Sequence, residues 1–346
     1  MSTIEIEQLA QLHTPYKLNH PVLSGSGLEG DFDSQAVDCP FVFVHQDCFY
    51  MMYVGFDGKG YQTALATSSN LLDWEHKAII LPRLKTEERW DHIGAAGSWM
   101  LLESNSLYDL PRLKKINNRY WMVYHSYPDQ GYEAGGAVMG LAWTEDESLL
   151  EWHRLDEPVF SNKEGADWEK AGLYKCCVIE HDEKYWMFYN AKRDDEWPWK
   201  EETGLAVSSD LIHWERYEGN PVLETVEGNF YSQFISDPCI KHDGQQWVNF
   251  AFGFDGRHAQ GALAVSDDLH NWRTAKQPLI TYGEQGELDE IHAHKSSVIY
   301  WNGVLYHFYC ACRHYQAGDR TKLEVFEDQY EFRCIAVATS KPLRSE

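Results

Sequence analysis

The chain has 346 residues, 43% of them apolar, and its 54 Asp and Glu outnumber 30 Lys and Arg for a formal net charge of −24. That is enough apolar residue for a sizeable core, and the charge excludes a broad basic face for nucleic acid or anionic lipid. No apolar run reaches the ~18 residues that crossing a membrane requires, and the polar, acidic start MSTIEIEQLAQLHTPYK lacks the basic and apolar regions of an export signal, so a cytoplasmic protein is expected.

In chain order, residues 1–20 read as a polar lead-in. His20-Pro21-Val22-Leu23 follows and recurs as Glu157-Pro158-Val159-Phe160, Asn220-Pro221-Val222-Leu223 and Gln277-Pro278-Leu279-Ile280. A proline opening a short apolar strand suits an outer edge, where its missing N–H costs no ladder bond. Next comes a longer unit, Asp38–Tyr53 (DCPFVFVHQDCFYMMY), in which a polar turn joins two apolar runs. It returns as Asp109–Tyr124, Tyr174–Tyr189, Asp237–Phe252 and His294–Tyr309, the first and last positions always 15 apart in the numbering. A third element closes each repeat: Ala64–Ser68 running to Leu71 and Trp74, then Gly140–Thr144 to Trp152, Gly204–Ser208 to Trp214, Gly261–Ser266 to Trp272, and Cys334–Ser340 without its Trp. The eight cysteines fall mostly inside these strands with no C-x-x-C spacing, so buried reduced thiols are expected.

Each repeat therefore reads as four strands, and the fifth lacks a P-V-L strand while the N-terminus has one to spare. A ring accounts for both, because closure removes exposed sheet edges. The expected fold is all-β: a five-bladed β-propeller with four-stranded blades, closed by the N-terminal strand completing the last blade, as one domain over residues 1–346.

In such a ring the first residues of the innermost strands, Asp38, Asp109, Tyr174, Asp237 and His294, meet at one mouth. An Asp ahead of a strand also caps turns, but three at one repeat position, with Tyr and His at the other two, point to a site. Crowded carboxylates push one another's pKa values apart, which supplies the ionised and protonated pair that glycosidic bond cleavage needs. Trp90, Trp99, Trp168, Trp197, Trp199 and Tyr231 are placed to stack on sugar rings or else to pack internally. The ends of the second strands add His125, Tyr127, Asn190, Lys192, Arg193, Arg313 and His314; Arg193 and Arg313 suit a carboxylate or phosphate clamp, or a solvated surface.

The five repeats, each opening on Asp or a substitute and continuing to a Y-x-M-x-Y-like strand, resemble the five-bladed glycosidases of glycoside hydrolase families 43, 32, 68, 117 and 130 from Pro21 to Leu343. The resemblance implies that Asp38 is the base or nucleophile and that Asp109 tunes pKa values and holds the sugar. Families 43 and 32 carry an acidic Glu where this chain has Tyr174, which leaves Tyr174 to bind substrate. The acid is then either Glu169, from Asp167-Trp168-Glu169-Lys170, or a histidine, as family 117 implies, from His292-Ala293-His294 with Asp237 close by. Three carboxylates nearby would keep such a histidine protonated. Resemblance to family 43 also implies a possible Ca²⁺ on the axis near His294, although no motif demands a metal and no cofactor is required. The expected activity is hydrolysis of short oligosaccharides, exo-acting and inverting. The alternatives are a phosphorylase like family 130, or a sugar-binding propeller without catalysis.

Overall fold

The computed structural model describes residues 3–86, 88–195 and 197–343. The fold is all-β, with only short 3₁₀ turns at Ile6–Leu12, Asn162–Glu164 and Asp167–Glu169 among the described residues. Among those residues no helix is long and apolar enough to cross a membrane.

The first repeat forms an antiparallel sheet of Ala36–His45, Cys48–Phe56, Tyr61–Ser68 and Glu75–Leu81. Its fixed length comes from the hairpin. Gln46 and Asp47 take φ of 48° and 59°, the left-handed pair of a two-residue type I′ turn, whose twist matches that of the strands it joins. Asn117-Asn118, Asp182-Glu183 and Asn302-Gly303 repeat that geometry. The same meander is made by Gly172–His181, Lys184–Arg193, Lys200–Ser208 and Glu215–Arg216, and by His292–Trp301, Val304–His314 and Gln329–Thr339. In the fourth repeat Phe234–Ser236 and Ile240–His242 pair with Trp247–Phe254, which continues to Ala259–Ser266 and Arg273–Ala275.

The recurring Ser…Trp segment is a turn. Ser68 Oγ accepts from the backbone N–H of Asn70 and Leu71, Leu71 takes φ 68°, and Trp74 Nε1 donates back to the Leu71 carbonyl at 3.0 Å. Ser208/Leu211/Trp214 and Ser266/Leu269/Trp272 repeat it. The proline segments are weaker than expected. Leu23–Ser24 pairs with Gln329–Thr339, tying the N-terminal segment to the last strand, but Phe160, Leu223 and Ile280 make only isolated bridges. The fourth-strand place is taken by segments such as Glu75–Leu81 and Glu215–Arg216, which follow the Trp directly.

The strands that open the repeats are largely buried, Ala36–His45 along its whole length. They lie against one another: Val42 N donates to Ser297 Oγ at 2.9 Å, and Ile240 N to Cys177 Sγ at 3.4 Å. All eight cysteines are free thiols, and all but Cys48 are buried.

Candidate active site

The opening strands are each bent where they begin. Pairing registers shift between Asp38 and Phe41, between Tyr174 and Cys176, and between His294 and Ser297, while Cys39, Asp237 and Lys295 hold left-handed φ of 53°, 53° and 61°. A bulge breaks the alternation of faces and re-aims side chains. As a result two successive residues, Tyr174-Lys175 and His294-Lys295, both face one cavity of ≈ 200 Å³. Non-glycine residues in that conformation store local strain, of a kind that concentrates at functional sites.

One wall of the cavity is a buried charge cluster. Lys295 Nζ donates to Asp38 Oδ2 at 2.7 Å and lies 3.6 Å from Glu133. Arg333 lies 3.4 Å from the same Asp38 oxygen and bonds Glu331 at 2.9 Å. Burial alone would raise the Asp38 pKa, but Lys295 and Arg333 outweigh it and hold the carboxyl far below the usual range.

The cavity is also lined by Glu201, half-buried, accepting from Asn190 Nδ2 at 3.0 Å and facing Trp199 Nε1 at 3.4 Å. Burial raises it, and against the Asn190 bond and Lys192 the charges of Glu133 and Asp237 help bring it up to about 7. Asp237 is raised by burial as well, against the pull of Lys175 and Lys295. Glu133 is the more open carboxylate of the cavity, with its side chain 36% exposed. A carboxyl poised to carry a proton therefore shares a small, partly dry space with a more solvated carboxylate, the division of roles that acid–base chemistry requires.

The expected residues divide. Tyr174, Asp237, His292, His294 and His125 line the cavity, as do Tyr127, Asn190, Lys192 and Trp199. Asp38 is 2% exposed and stands behind Lys295, presenting its charge to that ammonium rather than to the cavity. Asp109 lies elsewhere, exposed and bonded to Ser104 at 2.7 Å. The second repeat's opening strand is instead Ala96–Met100, whose register sets Ala96 opposite His125 as Asp38 is set opposite Val54. The 15-residue spacing in that repeat coincides with the others without marking the same place.

Glu169 is also withdrawn from the cavity. It is 1% exposed and holds Arg216 at 2.7 Å and the Tyr189 hydroxyl at 3.1 Å. Asp91 does the same for Tyr124 and Arg154, and Asp289 for Tyr309 and Lys17. The closing tyrosine of the repeat is thus latched by an acid from the preceding loop. Trp90 and Trp168 stack on Tyr124 and Tyr189 at interplanar angles of 9° and 25°, where a Cβ on Gly140 or Gly204 would collide with both rings. That is packing and not a sugar platform. Tyr231 is buried against Phe230. Arg193 pairs with Asp195 at 3.4 Å and Arg313 with Asp319 at 2.8 Å, and neither lines the cavity.

The histidines are not held protonated. Burial and then Lys295 keep His294 well below its ordinary pKa; burial, against Glu331, takes His292 down to about 4, and burial takes His125 down to about 3. Desolvation and the ammonium outweigh the carboxylates. His294 also faces Cys310 and Cys312, the three donor atoms lying within 4.8 Å of one another. Nitrogen with two buried thiols does not fit Ca²⁺, which takes oxygen ligands, and Asp38 is engaged by Lys295 and Arg333.

Glu133, Glu201, Lys175, Lys295 and Arg333 went unnoticed in the sequence. Lys175 and Lys295 carried a signal, since each follows the opening residue of its repeat. Glu201 stands three residues ahead of the recurring Gly204-Leu205-Ala206 element.

A family model described as the glycosyl hydrolases family 32 N-terminal domain matches residues 103–293. A 1,2-beta-oligomannan phosphorylase of Thermoanaerobacter sp. (strain X514) is 29% identical over 214 residues, covering 50% of this chain and 69% of that protein. A solved structure described as a glycoside hydrolase superposes with a TM-score of 0.80 at 32% identity, covering 98% of this chain and 95% of the other. A structure described as one of the GH130 mannoside phosphorylase family, which contains glycoside hydrolases targeting beta-1,2 mannosidic linkages, shares the fold at a TM-score of 0.65 and 15% identity, over 94% of each chain.

Proposed function

Because the chain belongs to the glycosyl hydrolase family defined by that family 32 N-terminal domain, we propose that it cleaves glycosidic bonds at the ends of short oligosaccharides by hydrolysis, with Glu201 as the proton donor. The observation that carries this reading is a carboxyl raised to about 7 inside a cavity it shares with Glu133. Glu133, the more open carboxylate of the cavity, is the partner that activates water or attacks the sugar carbon. Asp38 acts through Lys295 and Arg333 as the counter-ion that fixes the cationic wall. Tyr174, Tyr127 and Trp199 supply aromatic surface for the sugar. A cavity of ≈ 200 Å³ lies below the ~300–1,000 Å³ usual for ligand sites and suits roughly one sugar unit, hence exo action. The supporting frame is a five-bladed propeller in one domain, a reading that rests on the contact of the first and last opening strands and on the pairing of Leu23–Ser24 with the last strand.

A second reading, phosphorolysis, is favoured by the relative named as an oligomannan phosphorylase. Screening aryl-glycosides and short oligosaccharides, mannosides included, with and without inorganic phosphate, separates the two. Turnover of the oligosaccharides that is independent of phosphate and abolished in Glu201→Gln supports hydrolysis. Strict phosphate dependence gives the second reading, and full activity of Glu201→Gln on the oligosaccharides, whose leaving oxygen needs a proton, removes the assigned acid.

A further inference from the structure

We propose that the cavity is built to take an oxyanion, either inorganic phosphate or a carboxylate borne by a sugar, on the ammonium of Lys175. The residue is 4% exposed and lines the cavity, and its Nζ has no hydrogen-bond partner among the described residues. Asp237 lies within its electrostatic reach, but no acceptor bonds the ammonium, and a buried donor left without one is disfavoured, so an acceptor from outside the chain is favoured here. The other cations lining the cavity are engaged: Lys295 by Asp38 and Glu133, Arg333 by Asp38 and Glu331, and Lys192 over the Trp199 ring at 4.4 Å. Asn190 Oδ1, also buried and without a partner, offers an acceptor on the same wall for a hydroxyl of the incoming group. A protein of net charge −24 repels anions at long range, so an anion is held here only by local, desolvated contacts.

The inference rests on this cavity being the substrate site, and its test is binding, which needs no turnover. Inorganic phosphate, D-glucuronate and D-glucose as a neutral control are titrated calorimetrically at low salt into the full chain and into Lys175→Met and Lys175→Arg. One or both anions are expected to bind, more tightly than glucose and more weakly as salt is added. Lys175→Met is expected to weaken that binding about tenfold or more, the worth of a charge-assisted hydrogen bond, while melting at or above the wild-type temperature because a buried ammonium without a hydrogen-bond acceptor has gone. Lys175→Arg is expected to keep most of the affinity. Phosphate alone binding identifies a free co-substrate, and glucuronate alone identifies an acidic sugar. Neither anion binding, Lys175→Met binding as wild type, or Lys175→Met melting well below wild type overturns the proposal. Anion binding through Lys175 without glycoside turnover would sink the glycosidase reading and leave this one intact; turnover without anion binding would do the reverse.

Discussion

Two carboxyls of the site, Glu201 and Asp38, are shifted in opposite directions, and each shift carries a stability consequence. Glu201 is raised from 4.5 to about 7, so the folded chain keeps a proton that the unfolded chain has already released. Its contribution is complete below the unfolded value and is lost as pH rises towards 7. Glu201→Gln is therefore expected to be more stable than wild type in urea at pH 8, with the difference closing near pH 4.5. Asp38 is depressed, so its contribution is present above the unfolded value and is lost only in strong acid. Asp38→Asn leaves Lys295 and Arg333 buried without their common partner and is expected to cost about 3–5 kcal/mol at neutral pH, by denaturant melts. At this scale the sequence was read only in part. The openings of the repeats did mark Tyr174, Asp237 and His294 as neighbours, but spacing does not register a bulge, and the bulge is what turns Lys175 and Lys295 inward. Nor does spacing weigh desolvation against charge, which is why a protonated histidine looked plausible.

The repeats were legible because hairpins and turns have local chemistry. Two-residue left-handed turns and the Ser…Trp turn fix lengths within a short stretch of chain, so the pattern survives in the sequence. What failed was the second repeat, where the opening strand and its partner are separated by residues 101–118 and Asp109 lies in that excursion. Similarly, Glu169 looked catalytic by nearness along the chain, while its partners Arg216 and Tyr189 come from later strands. If it is a latch, Glu169→Gln is expected to lower the melting temperature while leaving kcat of the folded enzyme near wild type. Loss of kcat without loss of stability would return it to the chemistry. The exposed hairpin offers a converse check. Glu183 holds φ 59°, and Glu183→Gly is expected to stabilise by about 0.5 kcal/mol, since glycine takes that conformation freely.

For the whole molecule, the N-terminal segment is an integral part of the sheet. Tyr16–Lys17 and Leu23–Ser24 both pair with Gln329–Thr339. A chain begun after residue 24 is expected to lose cooperativity in thermal unfolding and to aggregate through the bared strand. An unchanged melting curve would show the N-terminal pairing to be dispensable. The acidic surface and the cationic cavity wall complement one another, the first keeping anions away and the second giving any that enter a defined place.

The central claim is that Glu201 delivers the proton to the departing oxygen, and leaving-group dependence tests it most directly. Wild type and Glu201→Gln are compared on the cognate glycoside bearing a poor leaving group and one bearing 2,4-dinitrophenolate, which departs without protonation. The variant is expected to lose about 10²–10⁴-fold on the first, the usual worth of a positioned acid, and little on the second. Equal losses on both substrates, or none on either, would contradict the account.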